Sequence, residues 1–372
     1  MPRFRSISMV ALAVLPALPL STQFSRPEPA LARHTRQADQ GWNLAMTRHF
    51  GHPGNASGFS TILLTDGRLW VFGGTNPGGS SSPVAEHFSR GRWTAARLPA
   101  RLTDFISDAS APSSHDIWAI SSYGRYVLRY DGSSWQLARR WRGPGYFSDI
   151  VATSARNAWA FGTAANGVRS LGTWHFDGRS WRPAGGNARD IYRASAVNGK
   201  DAWAIAAGPR SDAILRFNGR RWHRTRVSRA ISSIRWHDIL AESARDVWLL
   251  GDTTNGRLVF AHWNGMVWDR FVTRLPVLAG QLAGARSGRV LATATSSGLL
   301  PTGMVVMMTS EGHLATSVIN SSLGCGVSDG VFVARTGAIW ASGGTLTTLG
   351  GNAAVWERTP GAGSDVDIDR AQ

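Results

Sequence analysis

Between Phe147 and Ala184 the chain alternates apolar and polar residues in four short runs, Phe147–Thr153, Ala158–Gly162, Ser170–Phe176 and Ser180–Ala184. A period of two over four to eight residues predicts β-strands with one buried face. The pair Asp177-Gly178 separates the last two runs, and Asp-Gly between such runs predicts a type I′ hairpin turn. Four strands joined by tight turns make one small antiparallel sheet. Such a sheet cannot bury both of its faces alone, so the pattern calls for copies.

The copies are marked by a tryptophan in the second strand, at Trp70, Trp118, Trp159, Trp203, Trp248 and Trp340, with Leu291 filling the long gap before the last. These seven markers recur every 41 to 49 residues. A second aromatic pair marks the third and outer strands: Phe88/Trp93, Tyr130/Trp135, Phe176/Trp181, Phe217/Trp222 and Trp263/Trp268. The turn between them reads Asp131-Gly132, Asp177-Gly178, Asn218-Gly219 and Asn264-Gly265. The seventh repeat ends soon after Trp356 without an outer strand, whereas Gly41–Ala45, with Trp42, resembles Ser134–Ala138 and has no repeat before it. The pattern predicts an all-β, seven-bladed β-propeller of four-stranded antiparallel blades over residues 39–360, its last blade closed by the N-terminal strand. Closure of that kind leaves no unpaired edge at the join.

Composition changes the picture at the ends. Residues 1–32 carry Arg3 and Arg5, an uncharged apolar run Met9–Leu20 and the small-residue site Ala30-Leu31-Ala32, which reads as a secretory signal peptide and predicts a secreted or extracellular protein with no membrane span after cleavage. Residues 361–372 are rich in Gly, Ser and Asp, so a disordered tail is expected there. Cys325 is the single cysteine, which excludes an internal disulfide and reads as a small inert apolar residue. The formal charge is +16, and every basic residue but Lys200 is arginine. That excess reads either as a surface for anionic material or as an arginine-rich solvated surface, and its scatter over all repeats favours the second and no specific nucleic acid.

The half-repeats Ser243-Ala244-Arg245-Asp246-Val247-Trp248 and Ser154-Ala155-Arg156-Asn157-Ala158-Trp159 resemble the S-x-x-D-V-W-A-V-G units of secreted bacterial propellers, grouped with galactose-oxidase/kelch-like and Asp-box propellers. The resemblance implies the propeller fold over about residues 39–360 and no particular activity. The adjacent Asp131-Gly132 and Asp177-Gly178 do not meet the sialidase Asp-box, the galactose-oxidase Tyr–Cys and copper set has no counterpart, and only Gly73-Gly74 and Gly343-Gly344 fit the kelch glycine pair.

Ten residues before each marker the chain places Ser60, Asp108, Asp149, Arg193, Asp238, Gln281 and Gly330, the last preceded by Asp329. The following position is mostly apolar, so the polar one is expected to face the channel mouth. Asp108, Asp149, Asp238, Asp329 and Arg193 form the candidate ligand site, with Tyr146, Tyr192, Trp236 and His237 as stacking or hydrogen-bonding neighbours and a bound cation as one way to balance the acids. Trp141 and Trp236 lie outside the repeat slots and are the tryptophans expected to be free for binding. Asp116, Asn157, Asp201 and Asp246, before the second strands, are expected to bond their own turn backbone. A recurring carboxylate also reads as architecture, accepting backbone N–H groups between neighbouring blades. Three functions stay open: a monomeric binding module for carbohydrate or an anionic cell-envelope polymer, without catalysis or cofactor; an extracellular glycoside hydrolase or polysaccharide lyase using paired carboxylates; and a protein–protein scaffold.

Overall fold

The computed structural model describes residues 41–49, 57–65, 68–75, 82–164, 170–185, 190–208, 211–285, 288–296, 302–321, 324–334, 336–347, 350–359 and 368–370. The expected signal peptide, most of the tail, and parts of the loops Gly73–Pro83 and Ala294–Gly303 lie outside them, as do the side chains of Asp329 and Cys325. Repeats are numbered 1 to 7 by the markers Trp70, Trp118, Trp159, Trp203, Trp248, Leu291 and Trp340.

Repeat 3 shows the unit. Tyr146–Ser154, Asn157–Thr163, Thr173–Phe176 and Trp181–Pro183 pair in chain order as one antiparallel sheet. Repeats 1, 2 and 4 form like four-stranded sheets. Repeats 5 and 6 share one eight-stranded sheet, because the strand Trp268–Ala285 pairs first with Arg257–Trp263 and then with Arg289–Ser296. Repeat 7 is a five-stranded sheet in which Trp42–Arg48 pairs with Gly350–Arg358, Trp42 opposite Arg358. The tail contributes order of its own: Ile368–Arg370 pairs with His313–Val318, where composition alone predicts none.

The turns before the outer strands are not type I′. Tyr130 pairs with Trp135, so four residues form the loop, and Gly132 alone takes positive φ (93°) while Asp131 does not. Asp131 Oδ1 instead accepts the N–H groups of Ser133 and Ser134, and Asp177 Oδ1 those of Arg179 and Ser180. The side chain supplies the acceptor that closes the turn.

Packing runs between neighbouring repeats. Trp70 packs on Tyr130 and Trp135 of repeat 2, Trp118 on Phe176 and Trp181 of repeat 3, Trp159 on Phe217 and Trp222 of repeat 4, and Trp203 on Trp263 and Trp268 of repeat 5. Trp248 meets Phe271 and Leu314, Leu291 meets Trp42 and Trp356, and Trp340 meets Phe88 and Trp93 of repeat 1. Trp42 Nε1 also donates to Ser317 Oγ of repeat 6 at 2.8 Å. Burying aromatics of this size contributes about 3 kcal/mol each.

Five of the six marker tryptophans are covered from their own sheet by a cross-strand partner. His87, His175 and His262 lie over Trp70, Trp159 and Trp248 with ring centroids 4.8, 4.1 and 4.2 Å apart, and the guanidinium carbons of Arg129 and Arg216 lie 5.1 and 5.0 Å from the Trp118 and Trp203 ring centroids. The residues expected to serve turn backbone do something else. Asp116 accepts from Arg129 at 2.7 Å, Asp201 holds Arg216 in a two-point bond, and Asn157 and Asp246 hold His175 and His262. Sequence periodicity could not show this, because the partner sits on the next strand.

Candidate functional site

The first strands of repeats 3, 4 and 5 carry a β-bulge near their start, between Phe147 and Asp149, Ile191 and Arg193, and Trp236 and Asp238. A bulge puts two residues opposite one and re-aims a side chain. Here it turns Ser148 with Asp149, Tyr192, and Asp238 toward the next repeat.

Asp108 Oδ2 accepts the Ile150 N–H at 3.2 Å, Asp149 Oδ2 the Ala194 N–H at 2.5 Å and Asp238 Oδ2 the Leu282 N–H at 2.6 Å. The bulged residues donate the other way: Ser148 Oγ to Ile191 O at 3.3 Å and the Tyr192 hydroxyl to Trp236 O at 2.9 Å. Ser60 makes the same kind of bond, to Ile106 O at 2.6 Å. The junctions from repeat 1 to repeat 6 are thus tied by side chains that satisfy the neighbour's backbone. A second tier lies two residues deeper, where Ser110 and Ser195 accept from the Ala152 and Ala241 N–H groups.

Repeat 1 departs from the counted register. The residue facing Phe72, as Asp149 faces Phe161, is Thr61 and not Ser60. Repeats 3 to 5 have a second bulge near the end of this strand, and repeat 1 lacks it, so counting back from Trp70 lands one residue early. In repeat 7 the position is Gly330, where a Cβ would stand 3.2 Å from Ile62 N. Gln281 of repeat 6 reaches past it to donate to Ser60 O at 3.1 Å.

Arg193 takes the place of a fourth carboxylate. Its Nη1 donates to Ser148 O and Tyr192 O, and its Nε lies 3.8 Å from Asp238 Oδ1. Burial opposes its charge, but Asp149, Asp238 and Asp108 outweigh that and hold it protonated. Asp149 is pushed well above the usual carboxylate range by burial first and then by Asp108 beside it, a like charge and hydrogen-bond partner. Asp238 is raised to about 6 by burial, against the pull of Arg193. Among the described residues no group of three or more His, Cys, Asp or Glu side chains is set to hold a metal ion. The guanidinium supplies the positive charge there.

The aromatic residues expected to stack on a ligand are packed away. Trp236 is 1% exposed and donates from Nε1 to Ile231 O, Tyr146 is buried, and Trp141 packs on Phe147, Trp174 and Trp181. None offers a ring face. His237 is the bulged residue of repeat 5, but it bonds Asp252 of the second strand, which also takes Arg235 Nη2 at 2.5 Å. Those bonds from His237 and Arg235 hold the buried Asp252 carboxyl below its usual range despite burial. Sequence reading missed this trio, since Asp252 stands in no repeat slot that the period marks.

No family model matches the chain, and no curated protein matches it. Solved structures do. A streptogramin B lyase aligns at 10% identity over 90% of this chain and 100% of its own, with a TM-score of 0.60. The WD40 β-propeller domain of Doa1 aligns at 10% over 87% and 99%, with 0.55, and YCF48 bound to a D1 peptide at 13% over 86% and 98%, with 0.50. At such identities the likeness speaks for the fold alone: the chain is built as a β-propeller of four-stranded antiparallel sheets.

Proposed function

We propose that the chain is a secreted, monomeric β-propeller of seven blades that binds another protein and performs no catalysis. Two observations support seven blades: the eight-stranded sheet spans two repeats, and core clusters join each repeat to the next and repeat 7 to repeat 1. The strand Trp42–Arg48 then finishes the last blade. Secretion rests on the leader-like composition of residues 1–32. Kinship of this fold with the S-x-x-D-V-W-A-V-G propellers rests on the half-repeats around Trp159 and Trp248.

The observation that carries the reading is the commitment of Asp108, Asp149 and Asp238 to backbone N–H groups of the following repeat. A general acid or base must reach a substrate proton, and these carboxylates are turned into the junctions. A protein partner is favoured over carbohydrate because Trp141, Tyr146 and Trp236 present no sugar platform, and because a propeller of like fold has been solved with a peptide bound. The competing reading, a glycoside hydrolase or lyase, draws on the raised pKa of Asp238. Incubation with neutral and acidic polysaccharides, read by reducing ends and unsaturated products, separates the two. No turnover is expected; turnover abolished by Asp238→Asn would overturn the proposal.

A further inference from the structure

The far end of the same strands differs in kind. A cavity of about 460 Å³ opens there between the first strands of repeats 2, 3 and 4, lined by Pro112, Thr153, Ser154, Asn157, Asn198 and Gly199 among others. It holds hydroxyls, amides and small residues, with no charged side chain in its wall.

The turns around it carry cations. Three residues before their markers, repeats 3, 4 and 5 place Arg156, Lys200 and Arg245 in the turn between first and second strands. Each lies against the glycine of its own sheet's outer turn: a Cβ at Gly178 would meet Arg156 Cβ at 2.9 Å, one at Gly219 would meet Lys200 Cβ at 3.2 Å, and one at Gly265 would meet Arg245 Cβ at 2.9 Å. The glycines leave room for the stems, which carry the charged heads outward. Arg179, Arg220 and Arg221 follow Gly178 and Gly219 in those outer turns. All six cations are exposed, and among the described residues none of them forms an ion pair. Beside Gly265 on the same face, Met266 is 81% and Val267 55% exposed.

We propose that this face binds an extended acidic peptide segment of another protein. Its carboxylates pair with the arc from Arg156 to Arg245, its backbone amides meet the hydroxyls and amides of the cavity, and an apolar side chain covers Met266. The apolar tip decides between polyanions, since a nucleic acid or uronic-acid chain brings charge but no aliphatic side chain to bury. The proposal rests on the binding-module reading above and adds the face and the partner class.

The test is fluorescence anisotropy with a short labelled Glu/Leu peptide on the full chain at low and physiological salt. The variant R156Q/K200Q/R220Q/R221Q is expected to weaken binding about tenfold or more and to flatten its salt dependence. Met266→Ser is expected to weaken it several-fold with the salt dependence kept. The control R97Q/R142Q/R270Q/R274Q removes the same charge elsewhere and should leave affinity near that of the parent. Thermal melts of all variants exclude misfolding, the substituted side chains being exposed. Unchanged affinity in the first variant, an equal loss in the control, or no binding by the parent would overturn the proposal. So would tighter binding of oligogalacturonate or an oligonucleotide. Failure of the module reading would show instead as polysaccharide turnover.

Discussion

At one end of the first strands Asp149 is 5% exposed and Asp238 14% at its side chain, and their oxygens accept N–H groups of the next repeat. At the other end Ser154 and Asn198 are exposed around an open cavity, and the cations beyond them lack acidic partners among the described residues. Both ends are built from the same strands. The first satisfies the protein's own backbone, and the second leaves its polar groups to solvent or to a partner. A buried charge must be paired to be tolerated, so the acidic end is stabilised by mutual commitment. A solvated cation needs no such partner, so the basic end is free to vary or to bind. Recurrence of a residue from repeat to repeat therefore marks architecture at one end and presentation at the other.

The contrast breaks most visibly at Arg193. Replacing it with leucine leaves Asp108, Asp149 and Asp238 facing one another, and a loss of about 3–5 kcal/mol is expected in denaturant unfolding. A cost near zero would mean the acids are not held as a junction. The next effect is pH-dependent. Asp238 has its folded pKa raised from 3.8 to about 6, so stability tied to its protonated form is whole below pH ~4 and is lost as pH rises through about 6, by up to ~3 kcal/mol. Asp238→Asn should flatten that slope when melting is followed from pH 4 to 7. His175 works in the opposite sense: burial lowers its pKa below 6.5, so its contribution is present above pH ~6.5 and fades as pH falls. Acid unfolding of His175→Gln should set in at lower pH than that of the parent. The smallest effect belongs to the basic end, where Lys200→Gln and Arg221→Gln should each stay within about 0.5 kcal/mol of the parent. A larger loss there would erase the difference between the two ends.

Much of the architecture was legible because its signals are local. The marker tryptophans, the Asp-Gly and Asn-Gly turns and the orphan strand at Trp42 each identify a strand or its end from a few neighbouring residues. The candidate site was legible in part. Asp108, Asp149, Arg193 and Asp238 were found by counting, but Thr61 was not, because a bulge has no residue signature and one missing bulge shifts the count. Trp236 and Trp141 were misread as free since an aromatic outside the repeat slots can still fill a junction. Asp252 could not be read as the partner of His237, the two lying on different strands of one sheet.

From its residues alone this chain determined a strand period, a repeat length, the place of each turn and a large excess of arginine. Those are consequences of short-range sterics and of composition. Which polar groups are consumed and which are left over was decided only in three dimensions. The bonds that Asp108, Asp149, Ser195 and Asp238 accept from the following repeat join residues some 42 to 46 positions apart, and whether a carboxylate finds a backbone N–H or meets water depends on how one sheet is set against the next.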